Sequence, residues 1–222
     1  MLISDLHSSL ISLQGDWSGI ILNPNYIRKE WVISWNQFKH VSLGDRITSK
    51  TVKELEKGRQ YSFQLFDGSL IQLYYRFREG GDIVQIANLA FYKCERDIYN
   101  EEEDDNGDIS EYDDTPIEDY EIPWIRIDYC PDEEMGIIHA ATHMHSSIGA
   151  NVRLPINGIP TPKQFIEALM AWFYPAKYEE KHLDSQGIYT NPARVKQINR
   201  AKIPWSDQKV ESIVHLGIPP IA

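Results

Sequence analysis

With 222 residues, 42% of them apolar and two cysteines, the chain can bury a full core without disulfide or metal staples. Its first residues, MLISDLHSSLISLQGDW, carry no basic n-region, and no apolar run reaches the length of a membrane span, so the expectation is a soluble, cytoplasmic protein. The net charge of −11 is local: thirteen Asp and Glu but no Lys or Arg lie between Asp97 and Glu121, leaving 20 acidic against 22 basic residues elsewhere, so global charge does not exclude a nucleic-acid partner.

Taken in chain order, Leu2, Leu6, Leu10 and Leu13 share a helical face and predict an amphipathic helix over 1–15, stopped by Gly15. Residues 17–22 and 30–38 are rich in aromatic and β-branched side chains and read as strands, separated by Asn23-Pro24-Asn25. Residues 51–57 read as a helical turn closed by Gly58. The strongest local signal is a hairpin. Residues 61–66 and 69–77 alternate apolar and polar around Asp67-Gly68, a two-residue turn whose central residues both need positive φ. Alternation of this kind predicts an antiparallel sheet covered on one face. Gly80-Gly81 then turns the chain into a third strand over 83–92.

The acidic stretch 97–121 cannot bury apolar area against its own repulsion and is expected to be an exposed surface loop; an EF-hand spacing is absent from it. Residues 122–129 and 137–146 read as the next two strands, with a turn over 131–136, and 153–156 as a short extended piece. Thr161 before Pro162 is the cap of a helix that runs to about Pro175, and 192–202 and 206–215 read as two further helices. Strands first and helices later define an α+β fold: an antiparallel meander of five to seven strands packed by an N-terminal helix and C-terminal helices, in one domain over 1–222.

Chemistry concentrates in Gly136–Ser146, which holds His139, His143 and His145. On an extended strand these three have one parity and leave the same face. Three readings stay open. A divalent transition metal suits the imidazoles, with Asp128 on the neighbouring strand as a further ligand. Alternatively, one imidazole accepts and another donates a proton in phosphodiester cleavage, while Arg126 or Arg153 meets the developing charge. The third reading is structural, with ring nitrogens bonded to backbone carbonyls. An enzyme predicts a polar, open pocket over the imidazoles; a binding module predicts histidines covered by helix and an exposed apolar patch elsewhere.

Other features are weaker. Asp67 is explained by its turn, Cys130 by burial, and Glu167 is expected to face water. His7, His40, His182 and His215 read as isolated, and Cys94 and Cys130 form no CxxC. Lys177, Lys181, Arg194, Lys196, Arg200 and Lys202, interleaved with Tyr174, Tyr178, Tyr189 and Trp205, make the C-terminal part locally basic, as in nucleic-acid binders, although Glu179, Glu180 and Asp184 dilute it into an ordinary solvated helical face.

The aromatic strand entering Asp67-Gly68-Ser69, then Gln72 and Tyr75-Arg76-Phe77, the Arg126/Asp128 strand, His143-Met144-His145, Arg153-Leu154-Pro155 and the Pro-started helix ending in Phe173-Tyr174 together resemble a bacterial family catalogued as domain of unknown function 2290. The resemblance covers about residues 60 to 175, less the acidic stretch, and implies a bacterial intracellular protein with no assigned activity. A looser similarity runs to short bacterial toxins with histidine-rich strands. It implies a histidine-based phosphodiester- or nucleotide-processing enzyme of a toxin–antitoxin or phage-defence system; the alternative is a non-catalytic binding subunit of a defence or regulatory complex. The implied partners are a nucleic acid, a nucleotide or a protein, with no membrane.

Overall fold

The computed structural model describes residues 2–36, 46–94, 119–135, 139–148, 152–156 and 158–183. Helix α1 (Ile3–Asp16) exists because Ile3, Leu6, Leu10 and Leu13 repeat at helical spacing, and all four are buried. Leu2 is the exposed cap residue, and Gly15 does not stop the helix, which ends at buried Trp17. Strand β1 (Ile21–Pro24) follows, then a hairpin of β2 (Tyr26–Lys29) and β3 (Val32–Trp35) in place of one strand over 30–38. Its two-residue turn puts Glu30 at φ 49, while the expected spacer Asn23-Pro24-Asn25 lies partly inside β1.

Helix α2 (Ser49–Lys57) starts at a capping box between Thr48 and Thr51, and Gly58 caps its end as expected. Asp119 completes that start by accepting the Lys50 N–H at 3.1 Å. The next hairpin joins β4 (Phe63–Leu65) to β5 (Leu70–Phe77), but through the four residues 66–69. Gly68 alone of its residues has positive φ, at 82°, and its N–H donates to the Leu65 carbonyl at 2.9 Å. That is a type I turn with a glycine bulge rather than the two-residue turn, because Asp67 bends its side chain back to accept the Ser69 N–H at 3.0 Å.

Strand β6 (Val84–Tyr92) is entered through Gly80 and Gly81; a Cβ on Gly81 would meet the Ile3 side chain at 2.7 Å, so this turn is also where α1 docks. Strands β7 (Trp124–Tyr129), β8 (Thr142–Ser146) and β9 (Leu154–Pro155) complete the meander. The described sheet is antiparallel with nine strands in the order β1-β4-β5-β6-β7-β8-β9, and the β2–β3 hairpin attaches to β5 through β3. The α+β expectation is borne out, and the extra strands beyond five to seven are short edge pieces. Helix α3 (Pro162–Phe173) begins at a Thr161/Gln164 capping box, and α4 (Pro175–His182) restarts at Pro175. Most of the 97–121 segment, and 192–202 and 206–215 entirely, lie outside the described residues.

Both faces of the sheet are covered in part, which corrects the one-sided expectation. On the inner face α1 and α3 pack on Phe63, Leu65, Ile71, Leu73, Tyr75, Leu89, Phe91 and Ile127. On the outer face α2 lays Val52 and Leu55 over Leu70, Tyr92 and Trp124. Ser62, Gln64 and Gln72, the polar half of the alternation, are therefore buried too, and each is hydrogen-bonded.

Asp67 does more than shape its turn. Its Oδ2 accepts from Lys93 Nζ at 2.6 Å and from the Tyr174 hydroxyl at 2.8 Å, tying the hairpin loop to the end of β6 and to the α3–α4 break. Burial, then the Asp67 charge, push the Tyr174 phenol well above its ordinary range. Tyr174 and Tyr178 are core residues, Lys177 pairs with Glu180, and Lys181 lies over the Trp17 ring, so this part of the basic tail is packing rather than a nucleic-acid surface. Glu167 does not face water alone and His182 is not isolated: the two meet at 3.0 Å, half-buried. Asp67→Ala strands Lys93 without its counter-ion and is expected to cost about 3 kcal/mol in urea unfolding. Tyr174→Phe is expected to cost about 1 kcal/mol; equal losses would show that the carboxylate is not the hub.

Candidate functional site

The register of two antiparallel strand pairings builds the site. Across β7 and β8, Arg126 lies opposite His145 and Asp128 opposite His143; across β6 and β7, Asn88 lies opposite Asp128. Opposed residues project from the same face, so all five converge on the outer face beside the apolar row that α2 covers. Asp128 is the centre. It accepts from Arg126 Nε at 2.8 Å and Asn88 Nδ2 at 2.9 Å, and His145 Nε2 stands 3.5 Å from its Oδ2.

His139 departs from expectation: β8 begins at Thr142, and His139 sits in the preceding turn, its carbonyl accepting from the Met135 N–H at 2.8 Å. Its ring still packs against His143 with centroids 4.8 Å apart, and His143 packs the same distance from His145. The imidazoles therefore form a contiguous row from half-buried His139 inward, without a common strand. Arg153 is not brought into the cluster. It is exposed and stands one residue before Leu154, which pairs with Met144.

His143 Nδ1 lies 2.8 Å from the Ala140 carbonyl. A carbonyl only accepts, so Nδ1 carries the hydrogen and Nε2 keeps its lone pair. Burial lowers the His143 pKa from its ordinary 6.5; the Ala140 carbonyl opposes that shift, and His145 adds to it. One ligand atom each from Asp128, His143 and His145 lies within 4.8 Å of the others. Two ligands on one tetrahedral zinc stand about 3.4 Å apart. The Asp128–His145 separation already matches that spacing, and His143 would close the remainder. Second partners steady His143 and Asp128, as is usual for metal ligands: the Ala140 carbonyl for His143, Arg126 and Asn88 for Asp128.

Access is narrow. His143 and His145 are 4% and 5% exposed, whereas Asp128 and Arg126 side chains are 17% and 37% exposed. A cavity of 420 Å³ opens at the far end of β7, lined by Arg46, Glu121, Trp124 and Ser147 among others, rather than over the imidazoles. Nor does α2 cover them, since it packs on the neighbouring apolar row. Met135, Ile148 and Val152 meanwhile leave exposed apolar surface near β8 and β9.

A family model described as uncharacterized conserved protein (DUF2290) matches residues 22–215. The chain belongs to that family. No curated protein and no solved structure matches it. In this DUF2290 member, Asn88 is the site residue that the sequence did not reveal; strand parity could have suggested it only once β6 was paired with β7. Among the described residues no helix is long and apolar enough to cross a membrane.

A buried imidazole with a lowered pKa makes stability pH-dependent in a fixed direction. The unfolded chain binds the proton more readily, so stability is complete above about 6.5 and falls as pH drops toward the folded-state value. Urea midpoints from pH 8 to 5, measured with chelator present, are expected to show that fall. His143→Asn, whose amide can still donate to Ala140, should flatten it; an unchanged slope in the variant would assign the effect to another group.

Proposed function

We propose that Asp128, His143 and His145 hold a divalent transition metal and that the site hydrolyses a phosphate ester, in a phosphodiester or a nucleotide. The observation that carries this reading is the convergence of one carboxylate and two imidazoles with His143 Nε2 left as a lone-pair donor. Two imidazoles and a carboxylate leave open coordination positions for water and substrate. Held by Asp128, His143 and His145, such a metal would supply Lewis-acid chemistry, activating a water and polarising a phosphoryl oxygen. Arg126 binds Asp128 through Nε and is the more exposed of the pair, so its guanidinium would meet negative charge on a substrate. His139, at the outer end of the imidazole row, is the group placed to exchange protons with solvent. The cytoplasm remains the proposed setting, and a toxin–antitoxin or phage-defence system the proposed role, the latter on the strength of the histidine-rich strand alone.

A second reading has its own support. Near-complete burial of His143 and His145, together with exposed Met135, Ile148 and Val152, suits a non-catalytic binding subunit whose histidines are structural. Titrating metal-stripped protein with zinc, cobalt or manganese in a calorimeter separates the two. The expected result is one equivalent bound, with Asp128→Asn, His143→Ala and His145→Ala each weakening it by at least about tenfold. Metal-dependent hydrolysis of a model phosphodiester should fall in parallel. No uptake by the wild type, together with unfolding of a His143→Ala/His145→Ala variant, would establish the structural reading instead.

A further inference from the structure

The register places more on the outer face than the cluster. One row of opposed residues runs Tyr74, Asn88, Asp128, His143, Pro155 across β5 to β9. Arg76 lies two residues beyond Tyr74 on β5, on this same face by alternation, and Arg153 stands just before β9, two residues from Pro155. Arg76, Asn88 and Arg153 are exposed and Tyr74 is half-buried. Neither Arg76 nor Arg153 has an acidic partner among the described residues. Asp128 is the acidic side chain in these rows, and Arg126 offsets it. A chain of net charge −11 thus presents a locally cationic strip across its sheet.

We infer that this strip binds single-stranded nucleic acid laid across the strands, with an interior phosphate of that strand passing over Arg126 and the Asp128 site. The inference rests on the phosphate-ester reading of that site and names its substrate class. Its argument is spacing. Strands stand about 4.8 Å apart, so β5 and β9 are about 19 Å from one another, with Asp128 on the middle strand, two spacings from each. A single nucleotide cannot reach both arginines; an extended strand can, and it must then pass over the cluster rather than end at it. Asn88, exposed between them, supplies a hydrogen-bonding group that is insensitive to sequence. A duplex is a poorer fit, because a stiff rod does not follow the twist of the sheet as a flexible single strand does.

The test uses the full chain with chelator present, so that binding is read apart from metal chemistry, and fluorescence anisotropy of a labelled single strand of about 12 nucleotides. Binding is expected to weaken with salt. A circular single strand should bind like a linear one, and mononucleotides should not compete. Arg76→Ala/Arg153→Ala should weaken binding at least about tenfold at low salt and reduce the log–log salt slope by about 1.4, with little dependence on sequence. Arg76→Ala alone should leave zinc affinity and the melting temperature unchanged. Absence of binding, or binding indifferent to the two arginines, overturns the inference. So does equal, arginine-dependent binding of an acidic peptide, which would make the strip a protein-docking surface. If oligonucleotides bind as expected while no metal is taken up, the strip stands and the metal reading fails; the reverse pattern separates them the other way.

Discussion

Everything chemical in this molecule depends on the pairing of β7 with β8. Opposition of Asp128 to His143 and of Arg126 to His145 is what brings a carboxylate, a guanidinium and two imidazoles to one face. A slip of one residue would send the histidines into the apolar inner layer and bring Met144 out beside Asp128. Packing of Met144 on the inner core opposes that slip on β8, while Ile125, Ile127 and Tyr129 fix which face of β7 points inward. The site is polar because the other face of the strand is not.

The outer face is divided along the strands. At one end Leu70, Tyr92 and Trp124 lie beneath α2, and burial there forces Gln72, Gln60 and the Tyr92 hydroxyl into mutual hydrogen bonds. Burial also raises the Tyr92 phenol pKa, so it stays a neutral donor beside Arg126. Further along, the helix no longer covers the sheet and Asn88 reaches solvent. The Arg126–Asp128 pair stands at this boundary. A carboxylate so placed is held by two donors on one side, and on the other it faces the His143 ring, whose charged form burial disfavours.

Much of this was legible in the sequence wherever the governing rule was local. Period-two alternation located β4, β5 and β7, the Thr161-Pro162 pair located the start of α3, and parity placed His143 and His145 together. The misreadings share a cause in competition from tertiary structure. Residues 26–29 carry no apolar alternation, and β2 exists because β3 pairs with it and with β5. Gly15 has the local character of a helix stop, yet burial of Trp17 carries α1 past it. His139 shares parity with its neighbours, but β8 starts three residues later. Asn88, Asp67 and Glu167 acquire their partners from residues 15 to 107 positions away, a kind of information that no local window contains.

One bond at the edge of the meander bears on how such a fold can vary. The Lys93 N–H donates to the Pro123 carbonyl at 2.9 Å, so the chain leaves β6 and returns toward β7 through a single closed gate. Asp67 anchors Lys93 on one side of that gate, and Thr48 bridges Glu121 on the other. Chain inserted between the two posts is insulated from the β6–β7 register. Its closure penalty grows only by about 0.6 kcal/mol with each doubling of length. The fold can therefore accept additions of very different size and charge at this point while the Asp128 neighbourhood stays as it is.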